Sequence, residues 1–343
     1  MKKRLVSTII ISAMVLAMTG CGKTTEAPAD QGAAAQAGSE EAGQEKTYKI
    51  ALLEKGAEDF FLSIDKGFMD ACKEYGVEGT VVAPSTYHDS AQINNAMSEI
   101  ISTGYDAVVM CPQDYDANAS AIDEAYNAGL PVICLDSLTA SENYITSICT
   151  DNKAAGAEAA DKMAELLGEN GGKVAVFAND PQAVSDVDRI QGFVDRCKEK
   201  YPAIECMDVQ YYNNDLNRCS TQVSDTITAN ADLAGLFCVN NQSALAAGNV
   251  LVSYQKESLK FVGFDSDQDE IALMKSGVID ALMVQEPYQM GYLGVEKMLQ
   301  HLKGESVPKD NIDPGCKIIT MDNIDELEPV SYTHLTLPTT ERV

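Results

Sequence analysis

The side chains that could do chemistry in this sequence are planar hydrogen-bonding groups placed just after apolar runs. Four runs end in such a group: VICLD in Asp136, LFCVN in Asn240, FVGFD in Asp265 and ALMVQ in Gln285. Arg189 lies near the start of a helical segment that follows another apolar run. Carboxylate, amide and guanidinium groups each form two hydrogen bonds in one plane, which matches adjacent hydroxyls on a sugar ring. The pattern predicts a site for a small polyhydroxylated molecule.

An aromatic pair, Phe60 and Phe61, begins a predicted helix at the same rim. An aromatic ring can pack against the C–H face of a sugar, worth about 0.5 to 1.5 kcal/mol beyond burial on the aromatic-pair scale. Phe61 also starts the apolar stripe of that helix, so we expect one ring of the pair to belong to the core.

These side chains meet only if the apolar runs are strands whose carboxyl ends share one edge, where open parallel sheets bind ligands. From residue 48 onwards, short apolar runs alternate with helical periodicity, which predicts an α/β fold. The predicted strands are 48–54, 79–83, 107–110, 131–135, 144–149, 173–178, 204–210, 235–239, 260–263, 281–285 and 317–321. The predicted helices are 59–75, 90–102, 115–127, 153–167, 187–200, 216–229, 243–254, 267–275 and 287–301.

The second half of this series repeats the first, which predicts two similar doubly wound parallel-sheet lobes. Ile101 and Asp106 find Ile227 and Asp232 at one constant offset, each pair on a helix running into a strand. We expect a three-crossing hinge between the lobes. The predicted N-terminal lobe is 48–150 plus 286–314, and the predicted C-terminal lobe is 151–285 plus 315–330.

The composition disfavours most other functions. The 343 residues include 25 basic and 52 acidic ones, a net charge of −27 that opposes nucleic-acid binding. Three histidines and no tryptophan leave little for histidine catalysis or a metal site. Ser63-x-x-Lys66 and Ser253-x-x-Lys256 match the S-x-x-K motif of serine acyl-enzymes, but the K-T-G element that accompanies it is missing. The series Asp265-x-Asp267-x-Asp269 lacks the later glycine and glutamate of a calcium loop. We therefore expect no enzyme, no cofactor and no metal.

The start of the chain has the organisation of an export signal. Three basic residues precede an apolar run at 5–18, and Thr19-Gly20-Cys21 follow that run. It resembles a bacterial lipoprotein signal of residues 1–20, with Cys21 lipidated and with Met18 at the usual leucine position. An ordinary secretory peptide and a membrane-spanning anchor are the alternatives. We expect a disordered tether at 21–46. The C-terminal 331–343 resembles translated adapter sequence and is predicted to be non-native.

The span from 48 to 321 resembles periplasmic sugar-binding proteins of the ribose and galactose type. The resemblance rests on seven motifs: IALL…DFF at 50–61, GYDAVVMCP at 104–112, AGLPVICLD at 128–136, DVDRIQGF at 186–193, GLFCVNN at 235–241, FVGFD at 261–265 and ALMVQEPYQMG at 281–291. It implies the fold of a type I periplasmic binding protein. It also implies the ligand contacts Phe60, Phe61, Asp136, Thr150, Arg189, Asn240, Asp265 and Gln285.

Departures from the ribose-type pattern bear on ligand identity. Glu58 stands where that pattern has asparagine, Cys111 replaces another asparagine, and Ser137 replaces an arginine. With Lys55, these three are possible further ligand contacts. Counting Lys55 and Arg189 against three carboxylates leaves the site slightly acidic, which favours a neutral sugar or polyol over a phosphorylated one.

Individual residues also have structural interpretations. Asp265 could cap the helix 267–275, Arg189 could be solvated or paired with Asp186 or Asp188, and Lys55 could form a surface pair with Glu58. Four cysteines in apolar runs are expected to be buried thiols: Cys111, Cys134, Cys149 and Cys238.

The expected function is a monomeric, lipid-anchored receptor at the outer face of the cytoplasmic membrane or in the periplasm. It would deliver a small neutral sugar or polyol to an ABC permease and its ATPase. A receptor for a sensor kinase or chemotaxis partner, and a binder of a furanosyl signal or nucleoside, are the alternatives.

Overall fold

The computed structural model describes residues 46–56, 59–85, 89–254 and 259–327, which form two sheets flanked by helices. The first series is β1 (Lys49–Leu53), α1 (Asp59–Tyr75), β2 (Glu78–Val82), α2 (Ser90–Thr103), β3 (Ala107–Met110), α3 (Ala119–Asn127), β4 (Val132–Leu135) and β5 (Ser147–Ile148). The second begins with α4 (Asn152–Leu167), β6 (Gly172–Ala178), α5 (Val184–Lys200), β7 (Ile204–Cys206), β8 (Gln210–Tyr211) and α6 (Leu216–Ala229). It continues with β9 (Leu233–Cys238), α7 (Asn241–Tyr254), β10 (Lys260–Phe264), α8 (Gln268–Lys275), β11 (Ala281–Gln285), α9 (Pro287–Leu302) and β12 (Cys316–Ile319).

Both sheets have the same doubly wound order. The first sheet runs β2-β1-β3-β4-β5, and the second runs β7-β6-β9-β10-β11-β12 with β8 also beside β6. All pairs are parallel except β11 with β12. The α/β fold with two doubly wound sheets is therefore confirmed. In both sheets the strand order reverses beside the first strand of the series, where such folds form a ligand crevice.

Each sheet is buried on both faces, which explains why its strands are apolar throughout. Phe68 of α1 and Met298 of α9 pack on one face of the first sheet, and Met97 of α2 packs on the other. In the second sheet, Phe193 of α5 and Val223 of α6 cover opposite faces. The site side chains thus project from the ends of rigid, fully covered strands.

One predicted strand is interrupted. The segment predicted as one strand, 204–210, forms two short strands, β7 and β8. The pairing of this segment with β6 shifts by one residue between the two strands. Ile204 pairs with Gly172, whereas Gln210 pairs with Phe177. An extra residue between paired positions is a bulge, which the apolar pattern does not reveal. The predicted strand 144–149 is likewise shorter, with only Ser147 and Ile148 in the ladder.

The chain passes between the two sheets three times. It leaves β5 of the first sheet for α4, and it leaves β11 of the second sheet for α9, which packs on β3, β4 and β5. It returns after Ile312, which bridges to Ile148 of β5, to enter β12 of the second sheet. The Asn311 side chain fastens this region, because its Nδ2 donates to the Cys149 carbonyl and its Oδ1 accepts from the Cys149 amide.

The predicted signal peptide with Cys21, the predicted C-terminal tail, Glu58 and all but residue 46 of the predicted tether lie outside the described residues. Within the described ranges, no helix is sufficiently long and apolar to span a bilayer.

Candidate functional site

A cavity of about 1690 Å³ lies between the carboxyl edges of the two sheets. Seven of the residues implied by the resemblance line it: Phe60, Phe61, Asp136, Arg189, Asn240, Asp265 and Gln285. Lys55 and Ser137, the possible further contacts, line it as well. Thr150 and Cys111 do not belong to the lining. The structure therefore brings most of the predicted side chains together around one hollow.

Asp136 and Asp265 occupy equivalent places in the two sheets. Asp136 follows β4 and Asp265 follows β10, which hold corresponding positions in the two strand orders, and each aspartate has a left-handed backbone, with φ of 62° and 77°. Their amides donate to carbonyls of the neighbouring strand, Ile148 at 3.1 Å and Met283 at 2.8 Å. A left-handed conformation is uncommon for any residue but glycine and is enriched at functional sites. Here it turns both carboxylates towards the cavity.

Lys55 anchors the wall formed by the first sheet. Its ammonium lies 2.6 Å from Asp136 Oδ2 and 2.6 Å from Ser137 Oγ, and 6.0 Å from the centre of the Phe61 ring. The side chains of Lys55 and Asp136 are only 9% and 12% exposed. This is a largely desolvated ion pair. The alternative pairing of Lys55 with Glu58 falls on a residue outside the described ranges.

Arg189 is held rigidly in the wall formed by the second sheet. Its Nε donates to Asn152 Oδ1 at 2.8 Å, and its Nη1 donates to the Val239 carbonyl at 2.8 Å. The guanidinium also lies 3.7 Å from the centre of the Phe264 ring. With 4% of the residue exposed, the solvated alternative is wrong. These contacts fix the guanidinium plane and use two of its five N–H donors, so the second Nη1 hydrogen and both Nη2 hydrogens can serve a ligand.

A buried network that the sequence analysis missed supports Asn240. Asp186 accepts from the Asn179 amide at 2.8 Å and from Asn240 Nδ2 at 3.2 Å, and Tyr212 donates its hydroxyl to Asn240 Oδ1 at 3.0 Å. Burial raises the pKa of Asp186, while the nearby Arg189 charge opposes that rise. Asp186 lies three residues before Arg189, and this helical spacing was the signal available. Nothing in the sequence marks Tyr212.

Gln285 connects the second wall to the hinge. Its Nε2 donates to Asp265 Oδ1 at 2.7 Å, and its Oε1 accepts from Thr150 Oγ1 at 2.8 Å. Thr150 thus supports Gln285 from behind and does not itself line the cavity. Burial raises the pKa of Asp265, opposed by the Arg189 charge and by the Gln285 hydrogen bond.

The helix-cap interpretation of Asp265 is wrong, because Asp267 fills that role. Asp267 accepts from the Glu270 amide at 2.7 Å, and the Glu270 side chain accepts from the Asp267 amide at 3.0 Å. This reciprocal pair is a capping box at the start of α8. The Asp265 side chain therefore lines the cavity and does not cap α8.

The two phenylalanines divide their roles in the way the apolar stripe predicts. Phe61 is 4% exposed and packs in the core with Phe68, whereas Phe60 is half-buried. Their rings meet edge to face with centres 5.3 Å apart. Phe60 is therefore the ring with free surface for a ligand.

The cysteines in apolar runs are buried thiols. Cys111, Cys134 and Cys238 are fully buried and Cys149 is nearly so. Burial raises the pKa of Cys111 well above its ordinary value, so its thiol stays neutral. Because Cys111 lies beneath the cavity wall and not on it, the structure offers it no ligand contact.

The charged side chains of the cavity lining include two cations and three carboxylates that interact with one another: Lys55, Arg189, Asp136, Asp186 and Asp265. Every one of them is paired or hydrogen-bonded within the protein. Such a site offers donors and acceptors in fixed planes without a surplus positive charge. It suits neutral hydroxyl groups better than an anion. In the described ranges, no group of His, Cys, Asp and Glu side chains is arranged to hold a metal ion.

Comparisons with known proteins agree on one family. Residues 50–306 match the family model described as periplasmic binding protein domain. The ribose import binding protein of Bacillus subtilis is 27% identical over 268 residues, covering 78% of this chain and 86% of that protein. A solute-binding protein of Agrobacterium radiobacter in complex with D-arabinose is 28% identical, with a TM-score of 0.76, and covers 82% of this chain and 97% of its own. One from Agrobacterium vitis with bound D-fucose is 31% identical, with a TM-score of 0.74 and coverage of 81% and 97%.

Proposed function

Since the chain belongs to the periplasmic binding protein domain family, we propose that it binds a small neutral sugar or polyol between its two sheets and delivers it to an ABC permease and its ATPase. Membership of this family implies an extracytoplasmic location and a role in binding. The relatives named for ribose, D-arabinose and D-fucose support the sugar class.

The observation that carries this proposal is the pair of opposed walls around one cavity. Asp136 and Lys55 follow strands of the first sheet, whereas Asp265 follows β10 of the second sheet and Arg189 lies beside it on α5. Each wall combines a carboxylate acceptor with a cationic donor. Charge-assisted hydrogen bonds contribute about 1.5 to 3 kcal/mol each, so a few of them offset the lost freedom of a sugar.

We assign direct ligand contact to Phe60, Asp136, Arg189, Asn240, Asp265 and Gln285, with Lys55 and Ser137 as further contacts. Phe61 and Thr150 support them, as their burial and bonds indicate. We further propose that the receptor is not an enzyme, that it acts as a monomer, and that Cys21 carries a lipid anchor after removal of residues 1–20.

The experiment is thermal-shift screening of the purified protein with D-ribose, D-arabinose, D-fucose, polyols, nucleosides and amino acids. A ligand at 100 times its dissociation constant stabilises the fold by about 2.7 kcal/mol. We expect shifts from one or more sugars or polyols.

Asp136→Asn and Asp265→Asn test the two walls, and we expect each to reduce the sugar-induced shift strongly. Asp123→Asn is the matched control. Asp123 lies on α3 outside the cavity lining, and its carboxylate accepts hydrogen bonds from Ser141 and Asn143. Shifts only from nucleosides or amino acids, or unchanged sugar shifts in both wall variants, would contradict the proposal.

A further inference from the structure

Glu54 is a fully buried acid beneath the first wall of the cavity. It follows β1 directly, and neither of its carboxyl oxygens receives a hydrogen from any N–H or O–H donor of the described residues. Its neighbour Lys55 does not pair with it, since the Lys55 ammonium lies on Asp136. A buried carboxylate without a partner is strongly destabilising, so Glu54 requires another explanation.

The group in contact with Glu54 is a second carboxyl, that of Asp65. Asp65 lies on α1, and its Oδ1 is also buried without an ordinary donor. Its side chain is within hydrogen-bonding reach of Glu54. Two ionised carboxylates in such contact repel each other, whereas one carboxyl and one carboxylate form a short, strong hydrogen bond.

The surroundings favour the neutral partner at Glu54. Burial, followed by the charge of Asp65, raises the pKa of Glu54 well above its ordinary value. Burial raises the pKa of Asp65 to about 6. Lys55, Asp136 and Cys111 are the other titratable groups that face Glu54; Lys55 opposes the rise and Asp136 adds to it.

The consequence concerns the Lys55 ammonium. With Glu54 ionised, its carboxylate would compete with Asp136 for this cation. With Glu54 protonated, Glu54 and Asp65 form a hydrogen bond with each other. Lys55 then remains between Asp136 and Ser137 at the cavity wall.

We infer that Glu54 is a positioning residue which donates its proton to Asp65 and thereby keeps Lys55 on Asp136 for ligand binding. This inference rests on the proposed function for its ligand readout, but not for the shared proton. The hydrogen bond consists of one proton held between the two carboxyl groups.

The shared proton is tested by melting temperature between about pH 5 and pH 9 without ligand. A raised folded-state pKa stabilises the fold at low pH, and this contribution is lost as pH rises through that pKa. The melting temperature of Asp65→Asn should therefore rise relative to that of the wild type as pH rises through about 6. The melting temperature of Glu54→Gln, which can still donate to Asp65, should rise relative to that of the wild type at higher pH.

Asp123→Asn is again the matched control, because hydrogen bonds from Ser141 and Asn143 lower the pKa of Asp123. Its melting-temperature difference from the wild type should stay constant over this range. Wild-type and Asp65→Asn curves that run parallel throughout this range would overturn the shared proton.

The positioning role is tested by D-ribose and D-arabinose affinity, measured by calorimetry at neutral and alkaline pH. We expect wild-type affinity to fall at alkaline pH, and Glu54→Gln to keep its neutral-pH affinity within about twofold across the range. Glu54→Leu, which is neutral but cannot donate, should bind less tightly than Glu54→Gln. Equal affinities for Glu54→Gln and Glu54→Leu would overturn the role. If neither sugar nor any other in the screen binds the wild type, the proposed function fails, while the melting curves still decide the shared proton.

Discussion

At the scale of single residues, the side chains that face the cavity were easier to predict from the sequence than the side chains that hydrogen-bond to them from behind. Planar side chains after apolar runs are visible in any sequence, and Asp136 and Asp265 both line the cavity. Tyr212 and Glu54 escaped notice because their roles depend on contacts between distant segments. The left-handed backbone at both aspartates was equally hidden, since composition does not reveal φ.

Lys55 provides the residue-scale prediction. Replacing it with methionine removes the donor between Asp136 and Ser137 and leaves Asp136 without its cation. A charge-assisted bond of about 1.5 to 3 kcal/mol corresponds to roughly a 10- to 150-fold loss of sugar affinity, measurable by calorimetry.

Lys173→Met is the control for Lys55→Met. Lys173 pairs with Asp232 at 2.8 Å, but both side chains are substantially exposed and lie away from the cavity lining. Surface pairs contribute little, so its sugar affinity should match the wild type. Equal affinities for Lys55→Met and Lys173→Met would remove Lys55 from the site.

At the scale of elements, periodicity predicted the order of strands and helices because each sheet is covered on both faces and each helix on one. It could not predict the bulge between β7 and β8, which arises from pairing with β6. Nor could it predict how closely helices approach. A β-carbon on Gly156 of α4 would lie 2.0 Å from the Arg189 carbonyl of α5.

This close approach gives the element-scale prediction. Gly156→Ala must push α5 away from α4, and α5 carries Arg189, so we expect both a lower melting temperature and weaker sugar binding. Gly129→Ala is the control, because Gly129 has a φ of 78° with open space around it. It should lower the melting temperature through backbone strain while sugar affinity stays unchanged. Unchanged affinity in Gly156→Ala would show that helix spacing does not set the position of Arg189.

At the scale of the whole molecule, the two halves reuse one design. Both sheets have the same strand order, and each has a left-handed aspartate after the corresponding strand, β4 or β10. Glycines also permit a close helix pair in each half, with Gly67 against Tyr288 in α1 and α9, and Gly156 against Arg189 in α4 and α5. The weak internal repeat in the sequence agrees with this shared strand order, and three chain crossings join the two halves.

The proposed sugar contacts lie on both halves of the molecule, which gives the last prediction. A sugar stabilises a more compact arrangement only through contacts made to both walls, so saturating sugar should lower the radius of gyration in small-angle scattering. Asp136→Asn weakens one wall and Asp265→Asn the other. Each variant alone should therefore reduce the compaction at a fixed sugar concentration, while Asp123→Asn compacts like the wild type. If the protein keeps its radius of gyration at full sugar occupancy, the sugar does not draw the two walls together.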